Sequence, residues 1–283
     1  MRPRILHSER CAAFAIVLGA VNSVALIVAV VVGSNRDSSL NGVLSSNVLR
    51  VGLTLDYAPY SLKCNGGTDR GVDVDLANAL AASLDASLKI VQTTWSTLLD
   101  DAASNRFDIA MGGISITLPR LRSVAFSAAV WHGGKVLVAR CGTSVLHQSV
   151  ASLNVPFVEV VVNDGGTNAQ FVRTQWPSAR VLLVTQNDQW AALLDGRANV
   201  TVTDQVEARL QTQLNPGLCA SSELLSHDAK AFLLPRQDDV AWKAYVDGWV
   251  AQTSASGGFT AAMQRWSGLC ASVCGVGADC YTS

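Results

Sequence analysis

The sequence has no run of basic residues and no excess of charge of either sign. It contains 21 Lys and Arg residues against 22 Asp and Glu residues, a formal net charge of -1. Binding to nucleic acid requires clustered basic side chains, so we expect no nucleic-acid partner. The histidines are few and scattered, at His7, His132, His147 and His227. This scatter argues against a histidine-based metal site or catalytic triad.

Cysteine, in contrast, occurs seven times. Cys11 lies in an apolar segment, and the other six are Cys64, Cys141, Cys219, Cys270, Cys274 and Cys280. The last three lack the paired spacing and the histidine partners of a zinc site. An even number of cysteines instead favours disulfides in an oxidising compartment, although six cysteines allow fifteen pairings and the spacing does not choose among them.

An uncharged apolar segment covers residues 11–33. Its 23 residues are long enough to span a bilayer, whereas a cleaved secretory signal usually has an apolar region of about 7–15 residues. We expect a signal-anchor; a signal peptide cleaved after Gly33 and a buried core helix are the alternatives. Arg2, Arg4 and Arg10 precede the segment, which places the rest of the chain outside the cytoplasm. The membrane is a partner of the protein if the segment stays uncleaved.

The remaining sequence alternates between strand-like and helix-like patterns and does so twice, which predicts an α/β fold. The last part of the chain returns to the first unit, so we expect two lobes joined by two crossing segments, with a ligand cleft between them. The predicted parts are a polar linker at 34–47, lobe 1 at 48–141 and 229–268, lobe 2 at 142–228, and a cysteine-containing tail at 269–283.

The stretch VVVNDGGTNAQFVRT, residues 160–174, has the pattern of a strand, a glycine turn and the start of a helix. The first turn of a helix offers unpaired backbone N–H groups and the positive end of the helix dipole, which together bind anions. Glycines let the backbone approach a ligand closely, and Thr167 and Asn168 add side-chain donors. We predict a carboxylate site here; an ordinary N-capped glycine turn is the alternative.

Several phrases resemble a known family. GVDVDLANAL, FDIAMGGISITLPR and VAFS are similar to the extracytoplasmic amino-acid-type solute-binding proteins of family 3, which have a periplasmic-binding-protein-like type II fold. FDIAMGGIS, GGK with ARC, VNDGGTN, TDQVEARLQ and NPGLCA together resemble the cyclohexadienyl dehydratases, also called arogenate or prephenate dehydratases. The resemblance covers about residues 48–268 and implies a carbon–oxygen lyase built on the binding-protein fold.

The resemblance implies how the substrate is held. Arg120 is similar to the arginine that holds the α-carboxylate of amino-acid ligands, through two parallel charge-assisted hydrogen bonds. Asp204 is similar to the acidic residue that meets the ligand amino group, and if it contacts an ammonium, arogenate becomes a substrate beside prephenate. A surface arginine and an N-cap of the following helix are the respective alternatives.

Glu207 is implied as the general acid. Loss of water and carbon dioxide makes the ring of prephenate aromatic, and it requires a proton on the departing hydroxyl. A glutamic acid desolvated in a closed cleft has a raised pKa and keeps this proton near neutral pH. The alternative is a capping-box glutamate, because Glu207 lies three residues after Asp204. This chemistry requires no metal, nucleophile or organic cofactor.

The resemblance implies further contacts around the ligand. Lys135, in GGK, would be a cation for a carboxylate or a hydrogen-bond partner of the acid. Asn163 and Asn168 would orient the hydroxyl or the ring carboxylate. Tyr57 and Trp95 would pack against the ring, and for Trp95 a place in the core is an equal alternative.

The sequence departs from the family at Asp164, where we would expect a proline before the glycine turn. The charge of Asp164 should weaken the adjacent anion site unless its side chain points outward. The resemblance also implies a disulfide between Cys141 and Cys219. We therefore predict a dehydratase that acts on prephenate, arogenate or both; a non-catalytic binding protein for an amino acid or related carboxylate, which feeds a transporter, is the alternative.

Overall fold

The computed structural model describes residues 38–64, 67–185 and 188–267. The apolar segment at 11–33 and the tail at 269–283 lie outside these residues, so the signal-anchor, its alternatives and the pairing of Cys270, Cys274 and Cys280 remain predictions. Within the described part of the chain, no helix combines the length and apolarity needed to cross a membrane.

Fifteen strands and eight α-helices are present among the described residues, numbered here in chain order. The strands are β1 (Val48–Leu53), β2 (Asp56–Tyr57), β3 (Ser61–Lys63), β4 (Asp69–Arg70), β5 (Ser87–Gln92), β6 (Ile109–Ala110), β7 (Ala125–Phe126), β8 (Trp131–Gly133), β9 (Lys135–Arg140), β10 (Glu159–Asn163), β11 (Arg180–Val184), β12 (Val200–Asp204), β13 (Leu218–Ala220), β14 (Asp228–Lys230) and β15 (Leu233–Leu234). The helices are α1 (Ser39–Ser46), α2 (Val72–Ser83), α3 (Leu98–Ala103), α4 (Thr167–Gln175), α5 (Gln189–Leu194), α6 (Gln205–Leu214), α7 (Val240–Ala255) and α8 (Gly258–Ser267).

The sheet of the first lobe has the order β5-β1-β6-β15-β7. β1 is parallel to β5 and β6, whereas β15, which returns from the second lobe, is antiparallel to β6 and β7. The alternating pattern of β1 places Leu49, Val51 and Leu53 on one face, where all three are fully buried. They pack in one core with residues of α2 and of the closing helices α7 and α8.

The sheet of the second lobe has the order β11-β10-β12-β9-β13. β10 is parallel to β11 and β12, and β9 is antiparallel to β12. The expected lobe boundary after residue 141 is therefore wrong, because β9 belongs to the second sheet. The pattern of a buried apolar strand does not reveal which sheet the strand joins, since its pairing partner comes from a distant part of the sequence.

Two short antiparallel strands, β8 and β14, connect the lobes. Trp131 lies opposite Lys230, and Gly133 lies opposite Asp228. The chain leaves the first lobe through β8 and comes back through β14, so the expected two-lobed fold with two crossing segments is confirmed.

The predicted linker at 34–47 is wrong for the part that is described, because residues 39–46 form α1. Ser38 is the N-cap of α1: its Oγ accepts a hydrogen bond from Leu40 N at 3.2 Å and donates one to Asp239 Oδ1 at 2.7 Å. Val43 is 1% exposed within the core of the first lobe. A capping serine and one anchoring valine thus order a stretch whose composition is typical of a linker.

The expected disulfide between Cys141 and Cys219 is confirmed, with a Cα–Cα distance of 4.9 Å. It links the residue after β9 to β13, two adjacent strands of the second sheet.

Candidate active site

A cavity lies in the cleft between the lobes, at the carboxyl ends of β10 and β12. It comprises about 390 Å³ of space that protein atoms do not occupy, part of it open to solvent. Eight of the nine predicted site residues line it: Tyr57, Trp95, Arg120, Asn163, Thr167, Asn168, Asp204 and Glu207. Four further residues line it: Gly166, which belongs to the predicted glycine turn, and Gly113, Ser115 and Lys230, which were not predicted.

Glu207, in the first turn of α6, is 1% exposed. Its Oε2 accepts a hydrogen bond from the Thr203 hydroxyl, and its Oε1 has no hydrogen-bond partner among the described residues. Burial raises the pKa of Glu207 to about 8, helped by the negative charges of Asp204 and Asp56 and opposed by the Thr203 hydrogen bond. Glu207 is therefore a protonated carboxylic acid at neutral pH, and one of its oxygens accepts no hydrogen bond from the described part of the chain.

The capping alternatives for Asp204 and Glu207 do not hold. Asp204 has the N-cap position of α6 by its backbone, but its side chain makes no capping hydrogen bond. Glu207 bonds to the Thr203 hydroxyl and not to the backbone N–H of Asp204, as a capping box would require. Both side chains are instead part of the buried polar cluster beside the cavity.

Asp204 is held between two lysines. Its Oδ2 accepts from Lys230 Nζ at 2.7 Å and from the Tyr57 hydroxyl, and its Oδ1 accepts from Lys135 Nζ at 3.3 Å. Desolvation opposes ionisation of this buried carboxyl, but the two ammonium groups outweigh it and hold the pKa of Asp204 well below its ordinary value. Asp204 is thus an anion that is already neutralised by side chains of the protein.

Lys135, the first residue of β9, lies behind the cavity and does not line it. Its ammonium donates to Asn168 Oδ1 at 2.7 Å and to Thr167 Oγ1 at 3.1 Å, and it pairs with Asp228 Oδ2 at 3.5 Å. Lys135 therefore orients the two side chains at the start of α4 and makes no hydrogen bond to Glu207.

Lys230 is a cavity residue that the sequence analysis missed. It is 4% exposed, and its ammonium also donates to Gly113 O at 3.0 Å and to Ser115 Oγ at 3.1 Å. The buried Asp73 carboxylate accepts from the backbone N–H groups of Gly112 and Gly113, which holds this glycine turn in place. The signal in the sequence is a lysine in an otherwise apolar strand, AKAFLLP, because an unpaired lysine is rarely buried.

Arg120 lies in a short 3-10 turn, Arg120–Arg122, and is 7% exposed. Its Nη1 donates to Ser115 O at 2.8 Å. Desolvation lowers the pKa of Arg120 to about 10, with Asp204 opposing the shift, so the guanidinium stays charged at neutral pH. The surface alternative is contradicted for Arg120, whereas Arg122 is exposed.

The glycine turn before α4 lies at the cavity wall, with Gly166 at the N-cap and Thr167 as the first helical residue. Asp164 does not line the cavity. Its side chain is 53% exposed and pairs with Arg173 Nη2 at 3.7 Å, so the charge of Asp164 points away from the predicted anion site. The departure from the family pattern therefore places no charge in the cavity wall.

Aromatic rings form another wall of the cavity. Trp95 packs edge-on against Tyr57, with 5.6 Å between ring centroids, and the centroid of the Tyr60 ring lies 5.2 Å from that of Tyr57. Trp95 also packs against the core of the first lobe, so both interpretations of this residue apply.

The lobes touch each other at several points. A Cβ added to Gly165, in the second lobe, would lie 2.5 Å from the Cα of Ser96 in the first lobe. Ala58 and Leu62 of the first lobe pack against Leu210 of α6. The hydrogen bond from Tyr57 to Asp204 likewise joins the two lobes, and the cleft is therefore closed.

Two α/β lobes, two crossing strands and a closed cleft with a buried arginine define a solute-binding protein of the type II periplasmic fold. The chain belongs to the bacterial extracellular solute-binding proteins, family 3, which it matches over residues 49–269.

Relatives of two kinds are found. A cyclohexadienyl dehydratase of Pseudomonas aeruginosa is 42% identical over 234 residues, 82% of this chain and 87% of that protein. Among solved structures, the ancestral amino acid-binding protein AncCDT-1, a precursor of cyclohexadienyl dehydratase, has a TM-score of 0.76 at 29% identity, covering 81% of this chain and 99% of that one. An ancestral cyclohexadienyl dehydratase, AncCDT-3, has a TM-score of 0.52 at 34% identity, covering 82% and 97%.

Proposed function

We propose that the protein is a cyclohexadienyl dehydratase, a lyase that removes water and carbon dioxide from prephenate to form phenylpyruvate, or from arogenate to form phenylalanine. The observation that carries this proposal is the state of Glu207. A ligand-binding cleft needs no protonated acid with an unengaged oxygen, whereas expulsion of hydroxide from a ring does. The relative that is 42% identical supports the same activity.

The substrate would be held by its carboxylates. Arg120 offers a planar, charged fork to one carboxylate, and the start of α4 offers backbone N–H groups with the side chains of Thr167 and Asn168 to the other. Asn163, at the end of β10, lines the same wall. The rings of Tyr57 and Trp95 would pack against the cyclohexadiene ring.

In the reaction, Glu207 would give its proton to the ring hydroxyl as the carbon–oxygen bond breaks. The electron pair of the bond to the ring carboxylate moves into the ring, which becomes aromatic as carbon dioxide leaves. The hydroxyl departs as water, and the Glu207 carboxylate regains a proton from solvent. The closed cleft excludes bulk water, which keeps Glu207 protonated and strengthens the electrostatic interactions in the cleft. We infer an extracytoplasmic location from the family and from the disulfide.

The alternative is a non-catalytic binding protein that delivers an amino acid to a transporter. The structural similarity to an ancestral amino acid-binding protein favours it. Incubating the purified protein with prephenate and with arogenate, and following the aromatic product, separates the two functions. Turnover of either compound supports the enzyme; tight binding of an amino acid without turnover of either would show a binding protein.

A further inference from the structure

A second cavity adjoins the connecting strand β8 and the helix α6. It comprises about 1090 Å³ of space that protein atoms do not occupy, part of it open to solvent. Small-molecule sites usually have volumes of about 300–1000 Å³, so this cavity is large enough for a ligand. Asp204 and Lys230 line both this cavity and the candidate active site, and the remaining residues of the two linings differ. The two cavities are therefore neighbours that share one part of their walls.

One wall of the second cavity is aromatic. Tyr60 of the first lobe and Trp131 of β8 line it, with 6.3 Å between their ring centroids. Phe259 packs edge-on against Trp131, with 5.6 Å between ring centroids, which holds the indole ring in place while part of it stays exposed. Four apolar side chains of the second lobe also line the cavity: Val136, Val206, Ala208 and Ala220. An apolar ring of a ligand would lose its contact with water at this wall.

The second cavity also has an unpaired positive charge. Arg209 of α6 is exposed at the cavity, and its guanidinium forms no hydrogen bond or ion pair within the described part of the chain. Lys230, in contrast, uses all three of its ammonium hydrogens. Asp204 is the one acidic residue in this lining, and its two oxygens accept from Lys230 and Lys135. The cavity thus offers a cation to a ligand and no available carboxylate.

These features define the chemistry of a ligand. An unpaired guanidinium matches a carboxylate, with which it forms two parallel charge-assisted hydrogen bonds. An amino acid is disfavoured, because its ammonium group would find no available carboxylate in the cavity. A phosphate is disfavoured as well, because phosphate sites usually combine several cations or backbone N–H groups. The aromatic wall favours a ring in the same ligand.

We propose that the second cavity binds a small aromatic monocarboxylate, whose ring packs against Tyr60 and Trp131 and whose carboxylate pairs with Arg209. This site does not depend on the proposed activity and would be present in a non-catalytic binding protein too. Trp131 lies in a strand that connects the lobes, and Arg209 lies on the helix that carries Glu207. A bound ligand therefore contacts both the connection between the lobes and the helix of the proposed acid.

The test uses phenylacetate as the probe and one tryptophan as the reporter of each cavity. Protein labelled with fluorotryptophan has a fluorine NMR resonance for Trp131 in the second cavity and one for Trp95 in the candidate active site, assigned with Trp131→Phe and Trp95→Phe. Phenylacetate should shift the Trp131 resonance to saturation. Arg209→Gln should raise the concentration at half-saturation about tenfold or more, because the charge-assisted hydrogen bonds are lost.

The matched control is Arg180→Gln, the same change at another exposed arginine of the second lobe, which should leave the half-saturation concentration unchanged. Phenylacetamide lacks the charge and acetate lacks the ring, so each should bind at least about tenfold more weakly than phenylacetate. Ala220→Trp places a large side chain in the cavity and should abolish the shift. The two arginine variants change exposed side chains and keep the test valid if Ala220→Trp does not fold.

Three results would overturn the proposal. The first is a Trp131 resonance that does not shift up to about 10 mM phenylacetate, including the case in which only the Trp95 resonance shifts. The second is the same half-saturation concentration in Arg209→Gln as in the wild type. The third is binding of phenylacetamide as tight as that of phenylacetate. None of these measurements requires turnover, so they are independent of whether the protein is a dehydratase.

Discussion

Replacement of Glu207 by glutamine tests the proposed acid most directly. The amide has nearly the shape of the carboxylic acid and retains an oxygen that accepts the hydrogen bond from Thr203. It cannot supply a proton to the departing hydroxyl. The substitution therefore removes the proton donor without changing the packing, and substrate binding should change little.

The expected loss follows from the environment of Glu207. With a pKa of about 8, about 90% of the molecules carry the proton at pH 7, whereas a glutamic acid at its ordinary pKa of 4.5 would be about 0.3% protonated. Burial thus raises the protonated fraction roughly 300-fold. A positioned general acid contributes about 10²–10⁴ in rate, so kcat of Glu207→Gln should fall by that factor while KM stays within a few-fold.

The assay follows phenylpyruvate formation between pH 6 and pH 9.5. The wild-type kcat should fall about tenfold for each pH increment of one above about 8, because the acid form of Glu207 is lost there, and the residual rate of Glu207→Gln should lack this decline. The control is Glu223→Gln, the same change at an exposed residue of the second lobe. A Glu207→Gln variant with more than about a third of the wild-type kcat would refute the assignment.

The same variant has a second readout in stability. The pKa of Glu207 is raised from 4.5 to about 8 on folding, so its contribution to the free energy of unfolding is fully present below pH 4.5 and is lost as the pH rises toward 8. The loss amounts to at most about 5 kcal/mol. Glutamine has no proton to lose, and the Tm of Glu207→Gln relative to wild type should be higher at pH 8 than at pH 5. An equal Tm difference at both pH values would contradict the raised pKa.

Three further predictions concern binding, closure and stability. Arg120→Lys keeps the charge but loses the planar fork, so KM should rise about tenfold to a hundredfold with little change in kcat. Gly165→Ala should lower kcat/KM at least about tenfold, because a Cβ there meets the backbone of the opposite lobe at 2.5 Å and hinders closure. Reduction of the Cys141–Cys219 disulfide, whose cysteines lie 78 residues apart, should lower the free energy of unfolding by about 4.5 kcal/mol in the chain-entropy estimate, measured by urea denaturation.

Gly142→Ala is the matched control for the closure experiment. Gly142 and Gly165 have φ angles of 77° and 76°, but a Cβ on Gly142 would meet nothing within 4 Å. In both variants the alanine has a left-handed backbone conformation, which costs about 1–2 kcal/mol. Only Gly165→Ala also affects closure of the lobes. Equal kcat/KM in the two variants would show that the lobe contact at Gly165 is unimportant.

Much of the site could be predicted because its residues belong to short local patterns. The pattern of strand, glycine turn and helix at 160–174 consists of consecutive residues, and in the structure these elements form part of the cavity wall. Arg120 and Glu207 were found through the resemblance of the phrases around them. Their burial was not visible in the sequence, and it is burial that raises the pKa of Glu207.

Other features could not be predicted because they depend on distant partners. The apolar stretch around Lys230 indicates burial but does not reveal its partners, because only the folded chain brings β14 against Asp204 and Ser115. Residues 39–46 look like a linker until Asp239 and the core of the first lobe hold them as a helix. The lobe of β9 is decided by its pairing with β12.

The sequence by itself determined the two α/β lobes and the chain crossing between them, because periodicity and turn residues act over a few neighbouring positions. Most of the side chains in the cleft followed from the resemblance of the phrases around them. Only the tertiary structure decided the charge state of that cleft. Asp204 is neutralised by Lys135 and Lys230, and Glu207 keeps its proton, because electrostatic interactions depend on distance in space and on exclusion of water. These two properties make a carboxylate-binding cleft a candidate active site for a dehydratase.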